Sequence, residues 1–370
     1  MTRPRILVVD DDAGMLHAVR RLLERNADVA CFADAASALA GAVAFEPERA
    51  ILDVRLPSSD GFELMHGLRR LVANLDVVLM TGSLTELDGK LARSLREEAF
   101  FFLQKPFDRE LLLTLVERWS ESRRLSEENA AYVARLEEEL RQARAFQQRM
   151  LPGVAATIGG VALRGHYAPC DSLGGDYYDW IDAGDGMVAL LIADVAGHGV
   201  AAAMLTGFIK AAFHAAHGEA HAPGAVATRV RDGLRGMDEG SFVTLLSARI
   251  DLRRHEVRYC CAGHPYGLRI GASGELTQLA PTMPLLTPAF PDVDVAEDVL
   301  PFAPGDRLLL WTDGVEEAAE ASGLMFGVEG LHAAIPGEPD RLLDRLEHSL
   351  RAFVGQRPMR DDWTVVVATR

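Results

Sequence analysis

Lysine is nearly missing from this chain: there are three, Lys90, Lys105 and Lys210, against 35 arginines in 370 residues. Where arginine stands almost everywhere that lysine could, a retained lysine marks a position that needs a compact ammonium. Basic excess is missing as well. The formal net charge is −16, which excludes nucleic acid as the main partner, because phosphate binding wants a basic surface. No uninterrupted apolar run is long enough to span a bilayer, so no membrane association is expected. The apolar start, residues 1–9, is short and runs straight into Asp10-Asp11-Asp12, unlike an export signal. The four cysteines (Cys31, Cys170, Cys260, Cys261) form no C-x-x-C pair, and reduced thiols in a cytoplasmic protein are the expectation. No internal repeat is found. What is present is the profile of a globular protein, 49% hydrophobic and 25% charged, in a chain long enough for two domains.

Residues 5–118 alternate short apolar runs (6–9, 50–52, 77–80 and 100–103) with amphipathic helical stretches. That alternation predicts an α/β domain with a parallel sheet covered on both faces, whose ligands sit beyond the carboxyl ends of the strands. Residues 108–150 hold no Gly or Pro, are rich in Glu, Arg, Leu and Ala, and stop before Pro152-Gly153. One long helix is expected there. Val133, Leu136, Leu140, Ala143 and Met150 keep a loose 3–4 spacing that Asn129 and Gln147 interrupt. Two readings stay open: a short coiled coil that makes a homodimer, or a helix packed on its own domain. From Val161 onward, strand-like segments at 161–167, 187–193, 243–250, 257–261, 267–270, 307–311 and 364–368 are interrupted by helices at 200–216 and 339–353. An α+β layered domain follows. Six prolines between 280 and 306 suggest a lid or flap. The expected boundaries are 1–120 for the first domain, 121–152 for a helical linker and 153–370 for the second domain.

Chemistry first concentrates at the strand ends of the N-terminal domain. Asp10, Asp11 and Asp12 follow the first run, Asp53 the second, Thr81 the third and Lys105 the fourth. Two carboxylates can hold Mg²⁺ through oxygen, a third can act as nucleophile toward a phosphoryl donor, Thr81 can hydrogen-bond the transferred group, and Lys105 can neutralise it. With the motifs ILVVDDD, LDVRLPSSDGFEL, MTGS and QKPF, residues 4–120 resemble the receiver domain of two-component response regulators. The resemblance implies a doubly wound, flavodoxin-like sheet of five parallel strands. It also implies that Asp11 binds Mg²⁺ directly with help from Asp10, that Asp53 accepts phosphate from a sensor histidine kinase, and that the Arg55 carbonyl completes the metal shell. Thr81 and Phe102 would form the switch pair, and a cis Lys105–Pro106 bond is compatible with it.

The second constellation is a set of aspartates in four separate motifs: Gly174-Gly175-Asp176, Asp194-Val195-Ala196-Gly197-His198-Gly199, Thr312-Asp313-Gly314 and Arg360-Asp361-Asp362-Trp363. Asp-Gly pairs taken singly are ordinary turn residues. Four acids at strand edges, three flanked by glycine, instead suit close approach of a ligand. An all-carboxylate set favours Mg²⁺ or Mn²⁺ over zinc, and two such ions can clamp a phosphate. The order GGDYYDW, ADVAGHGVAAAM, FVTLL, CCAGHPYGL, GDRLLLWTDGVEEA, MFGVEGL and RDDWTVVV, over 148–370, is similar to the sporulation-phosphatase branch of the metal-dependent PPM (type 2C) serine/threonine phosphatases. That resemblance implies a four-layer α-β-β-α sandwich and two-metal hydrolysis on two Mn²⁺ or Mg²⁺ ions without a phosphoenzyme. Asp176 and Asp194 would be shared ligands, Asp313 and Asp361 would serve the second ion, and the Val195 carbonyl would contribute. Alignment favours Asp361 over Asp362. His198 is read as a helix-start residue, His264 as structural, and Pro284-Leu285-Leu286 departs from the usual PLG.

Together these readings give a response regulator whose output is a phosphatase. By resemblance, its substrate would be phosphoserine or phosphothreonine on an anti-sigma-factor antagonist. The rival is a phosphatase-fold scaffold, catalytically weak or inactive, that binds a sigma-pathway partner under receiver control. A DNA-binding regulator is disfavoured, since no basic recognition helix follows the receiver.

Overall fold

The computed structural model describes residues 3–57, 59–82, 101–197, 199–215, 221–238 and 240–370. The chain falls into two compact units, 1–132 and 133–370, each described by itself.

In the first unit, strands β1 (Arg5–Val9), β2 (Asp28–Phe32), β3 (Arg49–Asp53), β4 (Asp76–Thr81) and β5 (Phe101–Gln104) pair in the order β2-β1-β3-β4-β5. Every pairing is parallel. Alternation along β1 sends Ile6 and Val8 to one core and Leu7 and Val9 to the other, which is why a sheet buried on both faces reads as a continuous apolar run. Helices α1 (Ala13–Leu23), α2 (Ala35–Phe45) and α3 (Gly61–Leu71) each start on an aspartate, Asp12, Asp34 or Asp60, whose carboxylate accepts backbone N–H groups of the first turn. Asp12 is thus a helix cap rather than a third ligand.

Helix α4 (Arg109–Met150) runs for 42 residues, about 63 Å at 1.5 Å per residue, matching the single long helix expected over 108–150. Its first turns bury Leu112, Leu115, Val116 and Trp119 against the parallel sheet. Further on, Leu125, Tyr132, Val133, Leu136, Leu140 and Phe146 stay exposed. Exposed pairs such as Arg124–Glu128 and Arg135–Glu139, four residues apart, support the helix there. At its end Gln147 is buried and holds both backbone groups of Gly174: Nε2 donates to the carbonyl at 2.7 Å, and Oε1 accepts from the amide at 3.3 Å. Gln147 breaks the apolar spacing because it bonds to its own unit.

The second unit stacks two antiparallel sheets. One contains β8 (Tyr177–Gly184), β9 (Met187–Val195), β10 (Val243–Asp251), β11 (Glu256–Ala262) and β14 (Asp298–Pro301), in that order. The other runs β13 (Leu276–Leu279), β12 (Gly267–Ile270), β15 (Arg307–Trp311), β16 (Trp363–Thr369), β7 (Val161–Ala168) and β6 (Ala155–Ile158). Leu190, Leu246, Tyr259, Leu308 and Val366 fill the space between the sheets. Helices α5 (Val200–His214) and α6 (Pro223–Gly233) cover the outer face of the first sheet, and α8 (Gly327–Ala334) and α9 (Leu342–Val354) that of the second. The short α7 (Asp313–Glu316) follows β15. Four layers result.

One expectation needs correction, and strand β8 goes beyond the expected set. The segment 280–306 is no free lid. Val243 and Leu286 exchange both backbone hydrogen bonds, Met283 donates to the Cys261 carbonyl, and Met283 and Leu286 are buried. Residues 298–301 form β14 on β11. The apolar spacing also does not mark β8, because Asp179 interrupts it. Asp179 is buried, and its Oδ2 accepts the Tyr177 hydroxyl and faces Lys210 Nζ at 3.0 Å and His214 Nε2 at 2.7 Å.

Candidate functional site

At the carboxyl edge of the parallel sheet, ligand oxygens of Asp10, Asp11 and Asp53 lie within 4.8 Å of one another. Asp10 and Asp53 are buried and Asp11 is exposed. Lys105 Nζ bridges the two buried acids, at 2.6 Å from Asp10 Oδ2 and 2.9 Å from Asp53 Oδ2. Burial pulls the Lys105 ammonium down, but hydrogen bonds to Asp10 and Asp53 outweigh it and leave the pKa raised. Burial raises Asp10 against the same bond. The retained lysine therefore places its ammonium between the two buried carboxylates. Thr81 is buried at the end of β4, its carbonyl accepting from Lys105 N at 2.7 Å. Phe102 is half-buried, with its ring 6.5 Å from that of Phe62. Arg55 is exposed on a two-residue strand that starts two residues after Asp53, and the Lys105–Pro106 bond is cis.

In the second unit the four aspartates come from β9, from the loop before β8, from the start of α7 and from the loop before β16. Asp176 is buried, and the Thr312 and Thr364 hydroxyls both donate to its Oδ2 at 2.7 Å. The Thr364 amide donates in turn to Thr312 Oγ1 at 2.9 Å. Burial and the charge of Asp194 push Asp176 well above the ordinary carboxylate range. Asp194 is pushed up to about 7, by burial first and then by Asp313, Asp361, Asp362 and Glu317. Asp313 is raised by burial, Asp361 and Glu317. These mutual effects bring Asp176, Asp194, Asp313 and Asp361 into one acidic field.

Asp361 and Asp362 differ sharply. Asp362 is buried, and its two oxygens accept the amides of Cys170 at 2.8 Å and Gly175 at 2.6 Å. Asp361 is exposed and faces Asp313 and Asp194 electrostatically. Asp362 is thus the post that holds the loops, and the Asp361 carboxylate is left open. Two glycines permit the approach. A Cβ on Gly175 would lie within 2.5 Å of the Val195 carbonyl oxygen, and one on Gly314 would collide with the Asp362 carbonyl.

The fit to a cation rests on the donor set: hard oxygens, several of them raised by each other's charge, which a divalent ion would relieve. Among the described residues, the second unit's tightest possible ligand group is Cys170, Asp361 and Asp362, within 4.8 Å. Sequence reasoning missed Thr312, Thr364 and Glu317. The two threonines flank the aspartate motifs and were legible only as neighbours of them. His264 is buried with Nδ1 2.8 Å from Thr244 Oγ1, and burial pushes it down to about 3, so it is neutral. His198 lies outside the described residues.

Residues 184–370 match the family model for stage II sporulation protein E. The chain belongs to the stage II sporulation protein E (SpoIIE) family. Residues 6–117 of this SpoIIE-family chain match the response regulator receiver domain. It is 26% identical over 264 residues to protein IcfG of Synechocystis sp., covering 63% of this chain and 41% of that protein. It is 28% identical over 199 residues to phosphoserine phosphatase RsbP of Bacillus subtilis, covering 52% of this chain and 49% of that protein. The chain thus spans less than half the length of either relative. The SiaA-PP2C domain of Pseudomonas aeruginosa shares the fold, with a TM-score of 0.54 and 22% identity, over 65% of this chain and 99% of that one. Among the described residues, no helix is long and apolar enough to cross a membrane.

Proposed function

We propose that this chain is a metal-dependent protein serine/threonine phosphatase under the control of its own receiver. The observation that carries the reading is Asp194, raised to about 7 by burial and by acids from two other motifs, a field that a pair of divalent cations would balance. Mg²⁺ or Mn²⁺ ions held by Asp176, Asp194, the Val195 carbonyl, Asp313 and Asp361 would supply charge for the phosphate oxygens and acidify the attacking water. The chain's own residues set the stage. Thr312 and Thr364 fix Asp176 through one oxygen, leaving its orientation determined. Asp362 ties the loop before β8 to the loop before β16, so that acids distant in sequence stay in register.

In the receiver, Asp53 is the phosphoryl acceptor, Asp10, Asp11 and the Arg55 carbonyl hold Mg²⁺, and Lys105 compensates the incoming charge. Thr81 and Phe102 report the change to the surface. A sensor histidine kinase supplies the phosphoryl group, in the cytoplasm. The substrate is a phosphoserine or phosphothreonine protein, and the name of the relative RsbP supports phosphoserine. An anti-sigma-factor antagonist is the substrate class proposed. Adding acetyl phosphate to the full chain is expected to change its rate of phosphoserine-peptide hydrolysis severalfold, and Asp53→Ala to abolish that response. An equal response in the variant would overturn receiver control.

A further inference from the structure

Between Glu347 and Asp361 the chain carries three arginines, Arg351, Arg357 and Arg360, and no acid, in a molecule of net charge −16. All three are exposed. Arg351 shares an open pair with Glu347 one helical turn away, at 2.8 Å, the kind of contact that water and competing ions loosen. Arg357 reaches the carbonyl of Glu320 at 3.4 Å. Among the described residues, no carboxylate pairs with Arg357 or Arg360. Arg351 and Arg357 line a cavity of about 240 Å³ together with Leu350, Val354, Met359 and Trp363; of these four, Met359 is half-buried and the other three are buried. The Trp363 ring is held in place by stacking on His166, with centroids 4.1 Å apart. The cavity is therefore a hollow of mixed lining, apolar at its base and positively charged where Arg351 and Arg357 border it.

Its position gives it meaning. Met359 and Trp363 each stand two residues from Asp361, so at most about 7 Å of extended chain separates the hollow's wall from the metal-site acid. Trp363 pairs across the sheet with Ala168, two residues before Cys170, whose amide holds Asp362. The hollow and the acidic field thus share one loop and one sheet edge. A polypeptide with its phosphorylated side chain at the aspartates and its chain leading this way would reach the rim within about two to four residues, at about 3.5 Å per residue.

We propose that this hollow is a docking site for the phosphoprotein substrate, and that it selects segments with acidic and apolar residues two to four positions from the phosphorylated residue. The inference rests on the phosphatase reading above. The repulsion that a chain of net charge −16 exerts on an acidic partner is locally reversed here, so the charge pattern sets which segment is accepted.

Binding and turnover separate the two claims. Fluorescein-labelled peptides carrying a phosphonate analogue of phosphoserine, with Glu and Leu at the flanking positions or with Gln replacing Glu, are titrated into the full chain with Mn²⁺ and followed by anisotropy. The acidic peptide is expected to bind about tenfold more tightly than the Gln peptide. Arg351→Ala/Arg357→Ala removes that difference, and Arg351→Glu/Arg357→Glu transfers the preference to a peptide with Lys at the same positions. Equal affinities in the unmodified chain, or a preference that survives both double variants, would overturn the docking site. Hydrolysis of the matching phosphoserine peptides is read in parallel. Intact discrimination without hydrolysis would count against the phosphatase reading alone, and hydrolysis without discrimination against the docking site alone.

Discussion

Asp361 and Asp362 are neighbours in sequence and opposites in environment. Asp362 gives one oxygen to each of two backbone amides, and an asparagine there would turn an NH₂ group against one of them. Asp362→Asn is expected to lower unfolding stability by about 1–3 kcal/mol, read by denaturant titration. Asp361→Asn should leave stability within about 0.5 kcal/mol while weakening Mn²⁺ binding roughly tenfold or more, read by calorimetry. The reverse pattern would exchange their roles. His264 offers a second residue-scale test. Its folded pKa, about 3, lies below the ordinary value near 6.5, so it folds neutral. Its contribution is complete above about pH 6.5 and shrinks as the pH falls toward 3, by roughly 1.4 kcal/mol per unit once well below 6.5. His264→Gln should flatten the loss of stability of the second unit between pH 6 and pH 4.5. An unchanged slope would mean that other groups carry the acid sensitivity.

At the scale of elements, the parallel sheet was legible because strands buried on both faces write themselves as unbroken apolar runs, as in β1 and β4. The edge strand β2 was not, since none of its residues is fully buried and its run begins at the exposed Asp28. Strand β8 was hidden by Asp179, whose burial makes sense only beside Lys210 and His214 on α5, some thirty residues on. Long-range partners of that kind leave no periodic trace. The aspartate motifs were legible for the opposite reason, since the glycines that let loops approach one another stand next to the acids. Thr312 and Thr364 were not, because a hydroxyl reads as an ordinary strand residue until its partner is known. Gln147 carries the element-scale prediction. Its two bonds to Gly174 fasten the end of α4 two residues from Asp176. Gln147→Ala should therefore slow phosphoserine hydrolysis several-fold while Asp194 and Asp313 remain intact. A rate equal to that of the unmodified chain would show that the loop holds its shape without the helix.

For the whole molecule, two acidic pockets recur at sheet edges with different companions. The receiver pocket contains a lysine between its acids, suited to accepting a negative group, whereas the acids of the second unit are surrounded by further acids and threonines, suited to holding cations. One unit would take up a phosphoryl group and the other would remove one from a protein. The most direct measurement is the initial rate of phosphoserine-peptide hydrolysis by the full chain across a Mn²⁺ titration, with Asp194→Asn alongside. The account predicts a saturable dependence on Mn²⁺, abolished by chelation, and a rate lower by roughly a hundredfold or more in the variant. Hydrolysis that persists without divalent metal, or equal rates in the two proteins, would contradict it.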